Sequence, residues 1–114
     1  MTPKEFAKFL ARDGHCYHCG ISDDTLIIQH RIGRGFGGKN AKADQVANKI
    51  VLCSEINGLM ESDVDAQQLA YTYGWKLGQW QEPDQERVYD LFSNKWFILD
   101  NNFGRELYNL ENIA

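Results

Sequence analysis

The chain has few of the features that mark several protein classes. It contains only two prolines in 114 residues, and no apolar run approaches the length of a membrane span. The N-terminus lacks the hydrophobic stretch of a signal peptide, so we expect no membrane partner and a cytoplasmic location. Three cysteines are too few, and odd in number, for a disulfide framework. Two of them stand at C-x-x-C spacing, which favours a metal site or free thiols in a reducing compartment.

An overall excess of positive charge is also missing, because the formal net charge is −4. This charge is unevenly distributed: residues 1–30 carry −1, residues 31–49 carry +4 and residues 50–114 carry −7. A short basic segment of this kind is typical of a localised phosphate contact rather than of a protein that coats long DNA. The alternative is a solvated loop that happens to be rich in lysine.

Local signals predict an α+β fold in a single domain over residues 1–114. Thr2-Pro3 is typical of a helix start, with Glu5 closing a capping box and Gly14 ending the helix. Two short strands flank a glycine-rich loop, two helices follow, and a β-hairpin turns at Ser93-Asn94. The predicted ranges are 25–31 and 49–52 for the strands, 32–47 for the loop, 54–60 and 62–73 for the helices, and 87–92 with 95–99 for the hairpin.

Polar residues in the first half form an ordered series. It reads Cys16-Tyr-His-Cys19, then Gln29-His30-Arg31, Asn48 before the second strand, Cys53, and finally Asn57 and Glu61. This series resembles the HNH family of metal-dependent nucleases (the ββα-metal or His-Me finger), in particular small phage-type members. The resemblance covers residues 16–61 and implies a ββα-metal finger, with an N-terminal helix before it and a C-terminal extension over residues 62–114.

His30 is the candidate general base, because hydrolysis of a phosphodiester requires a group that accepts a proton near neutral pH. The resemblance gives the same role to this position. The alternative is a half-buried strand histidine that is hydrogen-bonded to the backbone. Asn48 corresponds to the middle residue of the family motif, where the amide holds the loop and the base in place. The third motif position is Asn57.

The resemblance implies that Gln29, Asn57 and Glu61 hold one catalytic divalent ion. Asn57 and Glu61 stand four residues apart, so a helix puts them on the same face. One carboxylate with two amides and water suits a weak Mg²⁺ or Mn²⁺ site. The alternative for Glu61 is a solvated charge at the end of a helix.

The cysteines suggest a second, structural site. By resemblance, Cys16, Cys19 and Cys53 would bind zinc, although Ile56 occupies the position of a fourth cysteine. His15 is then the better candidate for the fourth ligand, ahead of His18. The alternative is three reduced cysteines that pack as small apolar residues.

The predicted phosphate contacts are Arg31, Arg34, Lys39 and Lys42. The sequence contains no base-reading motif, so we expect low sequence specificity. The aromatic residues could stack on bases, but we expect Trp75, Trp80, Trp96 and their neighbours to form the core.

The leading hypothesis is a metal-dependent DNA endonuclease or nickase, in the host cytoplasm if it is phage-encoded. The alternatives are a catalytically weak HNH-like module that binds DNA and regulates, and a plain zinc-braced interaction module. The acidic C-terminal half is a candidate surface for a protein partner.

Overall fold

The structure is a computed structural model that describes residues 1–33 and 41–108. Within these ranges the chain forms three α-helices and two antiparallel sheets, which confirms the α+β class. The elements are α1 (Pro3–Asp13), β1 (Leu26–His30), a 3₁₀ turn (Val46–Asn48), β2 (Lys49–Cys53), α2 (Ser54–Ser62), α3 (Val64–Thr72), β3 (Val88–Asp90), β4 (Lys95–Leu99) and β5 (Arg105–Leu107).

Helix α1 begins and ends at the predicted residues. The Thr2 side chain accepts a hydrogen bond from the Glu5 amide at 3.2 Å, and Pro3 occupies the first helical position. Gly14 adopts a left-handed conformation with φ of 75° and donates its amide to the Leu10 carbonyl. The helix buries Phe9 against the core and thereby anchors the N-terminus to β2.

Strands β1 and β2 pair antiparallel, and α2 follows β2 without an intervening loop. The register sets Gln29 opposite Ile50 and His30 opposite Lys49. The predicted strands and helix are confirmed, although α2 continues to Ser62, two residues beyond the predicted end. The next helix, α3, is capped by Asp63, whose carboxylate accepts from the amides of Asp65 and Ala66.

The C-terminal sheet has the strand order β3-β4-β5. The predicted hairpin is confirmed, with a first strand shortened to Val88–Asp90 and Asn94 in the turn at φ of 60°. Strand β5 was not predicted. It is held by Arg105, whose guanidinium pairs with Asp90 at 2.7 Å and lies 3.6 Å from the centroid of the Phe97 ring.

The two halves of the chain share one core. Trp75 is fully buried and donates its indole N–H to the Tyr89 carbonyl at 2.8 Å, as expected for a core residue. The Leu77 amide donates to the Arg31 carbonyl at 2.8 Å, which joins the extension to the end of β1. Trp80 does not join this core and is 82% exposed, so the prediction of a buried role was wrong for this residue.

No helix in residues 1–33 and 41–108 has both the length and the apolar character needed to cross a bilayer.

Candidate active site and cysteine cluster

A cavity of about 640 Å³ lies between the end of β1, helix α2 and the segment 76–80. Four of its lining residues are Gln29, His30, Asn57 and Glu61. These are the predicted general base and the three predicted ligands of the catalytic ion. The fold therefore brings together, in one place, residues that the sequence separates into two groups.

The end of β1 supplies Gln29 and His30. The Gln29 amide nitrogen donates to the His30 carbonyl at 2.9 Å, which leaves the amide oxygen as the atom that can bind a cation. His30 is half-buried, and its Nε2 atom has almost no accessible surface. Gln29 is half-buried as well, so the two side chains lie at the boundary between core and cavity.

Helix α2 supplies Asn57 and Glu61. They are one helical turn apart, as the sequence predicted, and Asn57 is half-buried whereas Glu61 is exposed. The oxygen atoms of one carboxylate and two amides are hard donors, and the carboxylate of Glu61 is the single anionic group among the three predicted ligands.

Asn48 is fully buried beside the glycine-rich loop. Its amide nitrogen donates to the carbonyls of Ile32 (3.1 Å) and Ala43 (3.0 Å), and its amide oxygen accepts from the Ile32 amide at 2.7 Å. Its backbone carbonyl accepts from the Arg31 amide at 2.8 Å. The predicted contact with the loop is present, and it holds the chain immediately after His30.

Arg31 does not contact phosphate, and this prediction is corrected. Its guanidinium is buried, with the residue only 1% exposed, and all of its hydrogen bonds go to backbone carbonyls. The acceptors are the carbonyls of Gly74, Ala47, Pro83, Glu86 and Arg87, at 2.7 to 3.3 Å. Burial lowers the pKa of Arg31 to about 10, so the group stays charged at neutral pH and acts as a structural cross-link.

Lys42 remains a predicted phosphate contact, and the structure places it beside the segment 79–82. Its ammonium donates to the carbonyls of Gln79 (3.1 Å) and Gln81 (3.3 Å) and pairs with Glu82 at 3.0 Å. These contacts hold the Lys42 side chain against the segment 79–82. Arg34 and Lys39, the other two predicted contacts, lie outside the described residues.

Lys76 is a lining residue that the sequence did not indicate. It is half-buried at the cavity, and its side chain makes no hydrogen bond or ion pair with any residue of the two described ranges. Tyr71 and Trp80 line the same cavity from the C-terminal half. Their segments carry no motif, and only tertiary contacts such as the one between Leu77 and Arg31 place them here.

The three cysteines form a cluster at the start of α2. Their sulfur atoms all lie within 4.8 Å of one another, and those of Cys19 and Cys53 are 3.7 Å apart. Two thiolates on one tetrahedral zinc stand about 3.8 Å apart, so this arrangement could bind a metal such as zinc. Cys16 accepts from the amides of Cys53 (3.1 Å) and His18 (3.4 Å), and burial raises the pKa of its thiol to about 12.

His15 is not the fourth ligand that the sequence predicted. Its Nε2 atom is hydrogen-bonded to Asp90 at 2.7 Å, and the cysteine group contains no histidine among the parts of the chain that the structure describes. A cavity of about 100 Å³ beside Cys19 and Cys53 is lined instead by His18 and Glu55. Neither side chain belongs to the cysteine group, so the described residues hold three sulfur ligands together and no fourth ligand.

Comparison of the chain with family models, with curated proteins and with solved structures gave no match.

Proposed function

We propose that the chain is a metal-dependent DNA endonuclease or nickase of the HNH type, which hydrolyses phosphodiester bonds with His30 as general base. One observation carries the proposal. Gln29, His30, Asn57 and Glu61 follow from the order of residue types in the sequence, and all four line the same cavity. The two pairs come from separate elements, β1 and α2, and it is the fold that brings them to the same cavity.

The arrangement of elements supports the proposal. Strand β1 ends at the general base, β2 returns antiparallel, and α2 carries Asn57 and Glu61. This is the ββα order of the metal finger that the HNH resemblance implies.

In the proposed reaction, His30 takes a proton from the attacking water. Asn48 holds the backbone after His30 through its three amide hydrogen bonds and thus keeps the base in position. Lys76 contacts a non-bridging phosphate oxygen and stabilises the negative charge that develops there. Gln29, Asn57 and Glu61 would hold Mg²⁺ or Mn²⁺, which supplies charge stabilisation at the phosphoryl group and the leaving oxygen. By resemblance, the products carry a 5′-phosphate and a 3′-hydroxyl.

The cysteine cluster is proposed as a structural zinc site. Cys16, Cys19 and Cys53 supply three sulfur ligands. His18 or Glu55, which line the adjacent cavity, would have to move to supply the fourth. The site would brace the start of α2, which carries Asn57.

The alternative is a catalytically weak, HNH-like regulatory module that binds DNA. Gln29 in place of an anionic ligand and the exposure of Glu61 favour it, since both weaken the affinity for a divalent ion. In either case the proposed partner is DNA, bound through its backbone with low sequence specificity, in a host or bacterial cytoplasm. A protein partner on the acidic C-terminal half is a separate proposal.

Supercoiled plasmid incubated with the protein in Mg²⁺, in Mn²⁺ or in EDTA tests the function. Conversion to open-circular or linear DNA that requires the metal and is lost in Glu61→Gln and His30→Ala supports the nuclease. A retained gel shift with no cutting in either ion would leave the regulatory module as the better account.

A further inference from the structure

Trp80 is the largest exposed aromatic side chain at the candidate active site. It is 82% exposed although it lines the cavity that contains His30 and Lys76. Tyr71, which is 58% exposed, lines the same cavity. Exposure of a tryptophan costs hydrophobic free energy, so its position at this rim calls for a physical explanation.

The exposure does not come from a loosely held segment. The Trp80 ring packs over Gly78, where a Cβ atom would lie only 2.3 Å from two ring carbons. The Gly78 amide donates to the Gln81 side chain at 2.7 Å, and the Gln81 amide donates back to the Gly78 carbonyl at 3.0 Å. Glycine at position 78 thus lets one edge of the indole rest on the backbone while the rest of the ring faces solvent.

The same turn is fastened to both ends of the glycine-rich loop. Lys42 donates to the carbonyls of Gln79 and Gln81, and the Gln79 side chain donates to the Gly33 carbonyl at 2.8 Å. The turn that carries the indole is therefore held beside the cavity, which lowers the entropy that ordering this segment on binding would otherwise cost.

An exposed indole on a held turn suits the face of a nucleobase. Base–aromatic stacking tolerates any base, because every base has a π-face. A base inside a duplex has both faces covered by its neighbours and can reach such a ring only if it is unpaired or flipped out. With the scissile phosphate near His30 and Lys76, the adjacent base would lie at the rim of the cavity.

We propose that Trp80 is a stacking platform for an unpaired base next to the phosphodiester in the cavity, so that the preferred substrate is single-stranded or locally unpaired DNA. This inference rests on the proposed nuclease function, since it assigns the substrate class of the same cavity.

The test measures binding of a 12-nucleotide single strand and of its duplex to the full chain in EDTA, where no metal-dependent cutting occurs. Tryptophan fluorescence and fluorescence polarisation are recorded for the wild type, for Trp80→Leu and Trp80→Phe, and for the control Phe92→Leu. Phe92 is a suitable control because it is 66% exposed and does not line this cavity.

We expect the wild type to bind the single strand more tightly than the duplex, with quenching of its fluorescence. Trp80→Leu should lose the quenching and weaken single-strand binding about 5- to 150-fold, while duplex binding stays the same. Trp80→Phe should retain part of the affinity, and Phe92→Leu should behave as the wild type.

Equal binding of single strands by Trp80→Leu and wild type would overturn the inference, as would an absence of any DNA binding. The two proposals fail separately. Suppose that DNA cutting requires His30, but Trp80→Leu cuts as fast as the wild type and single strands are cut no faster than duplexes. The nuclease proposal would then stand, and the stacking platform would be overturned. If single strands quench the fluorescence of Trp80 but no DNA is cut in Mg²⁺ or Mn²⁺, the stacking of a base on Trp80 would stand and the nuclease proposal would be overturned.

Discussion

The guanidinium of Arg31 joins the two halves of the molecule. It directs its five N–H donors to five backbone carbonyls, four of which belong to residues 74–87. These carbonyl oxygens surround the guanidinium of Arg31, and they would lack this donor if the side chain were removed. The sequence places Arg31 beside a basic loop, so its burial could not be predicted without knowing where residues 74–87 return.

Arg31→Ala should lower the free energy of unfolding by roughly 3 kcal/mol or more, because several buried carbonyls lose their charged donor. Arg31→Lys should recover only part of this loss, since an ammonium cannot reproduce the planar fork. Urea denaturation followed by circular dichroism measures both, with the exposed Lys95→Ala as control. If Arg31→Ala were as stable as the wild type but bound DNA more weakly, Arg31 would again be assigned as a phosphate contact.

Lys76 is the cation we expect at the phosphate instead. Lys76→Ala should reduce the rate of DNA cutting roughly 10²- to 10³-fold, the loss typical for one donor aimed at developing negative charge. Stability should be nearly unaffected, because its ammonium makes no hydrogen bond or ion pair with residues 1–33 or 41–108. Lys76→Arg should retain part of the rate, and Lys95→Ala all of it. A full rate in Lys76→Ala would remove this residue from the mechanism.

At the scale of elements, the cysteine cluster connects the knuckle at residues 16–19 to the start of α2. Burial raises the pKa of Cys16 to about 12, so zinc must displace a proton from this thiol. Zinc affinity should therefore rise as the pH rises through the neutral range.

We expect the purified protein to contain one zinc per chain and to be stabilised by about 2.7 kcal/mol when zinc is present at 100 times its Kd. A chelator should lower the melting temperature, added zinc should restore it, and Cys19→Ser should abolish the response. Zinc content by atomic absorption and a thermal melt provide the measurements. A melt that is identical with chelator and with zinc would show that the cysteines are packed thiols.

Elements that carry their own local signals could be predicted from the sequence. Helix α1 has a threonine cap, a proline and a terminal glycine, and the β3–β4 hairpin has Ser93-Asn94 at its turn. Strand β5 has no such signal and depends on the contacts of Arg105 with Asp90 and Phe97. The same distinction holds at the site. Gln29, His30, Asn57 and Glu61 follow from residue order, whereas Lys76 and Trp80 are placed by tertiary contacts alone.

At the scale of the whole molecule, the C-terminal half completes the cavity and the core. Arg31 takes four of its five carbonyl acceptors from this half, Trp75 is buried, and Asp90 binds both His15 and Arg105 at 2.7 Å. The region from 62 onward therefore shares its core with the motif at 16–61.

A chain that ends after Ser62 should fail to fold. It would leave the guanidinium of Arg31 without four of its five acceptors and would remove Trp75 from the core. Near-ultraviolet circular dichroism and a thermal melt should show no fixed packing and no cooperative transition. A truncated chain that melts cooperatively would contradict this view of one shared core.

The central claim is that the cavity around His30 cuts DNA, and the single-turnover rate of His30→Ala tests it most directly. Wild type and variant, with Lys95→Ala as folding control, are mixed in excess with end-labelled DNA in Mg²⁺ or Mn²⁺ after equal binding has been verified. Loss of a general base should slow cutting about 10²- to 10⁴-fold with little change in affinity. Equal rates for His30→Ala and wild type, or no cutting by a wild type that binds DNA, would contradict the account.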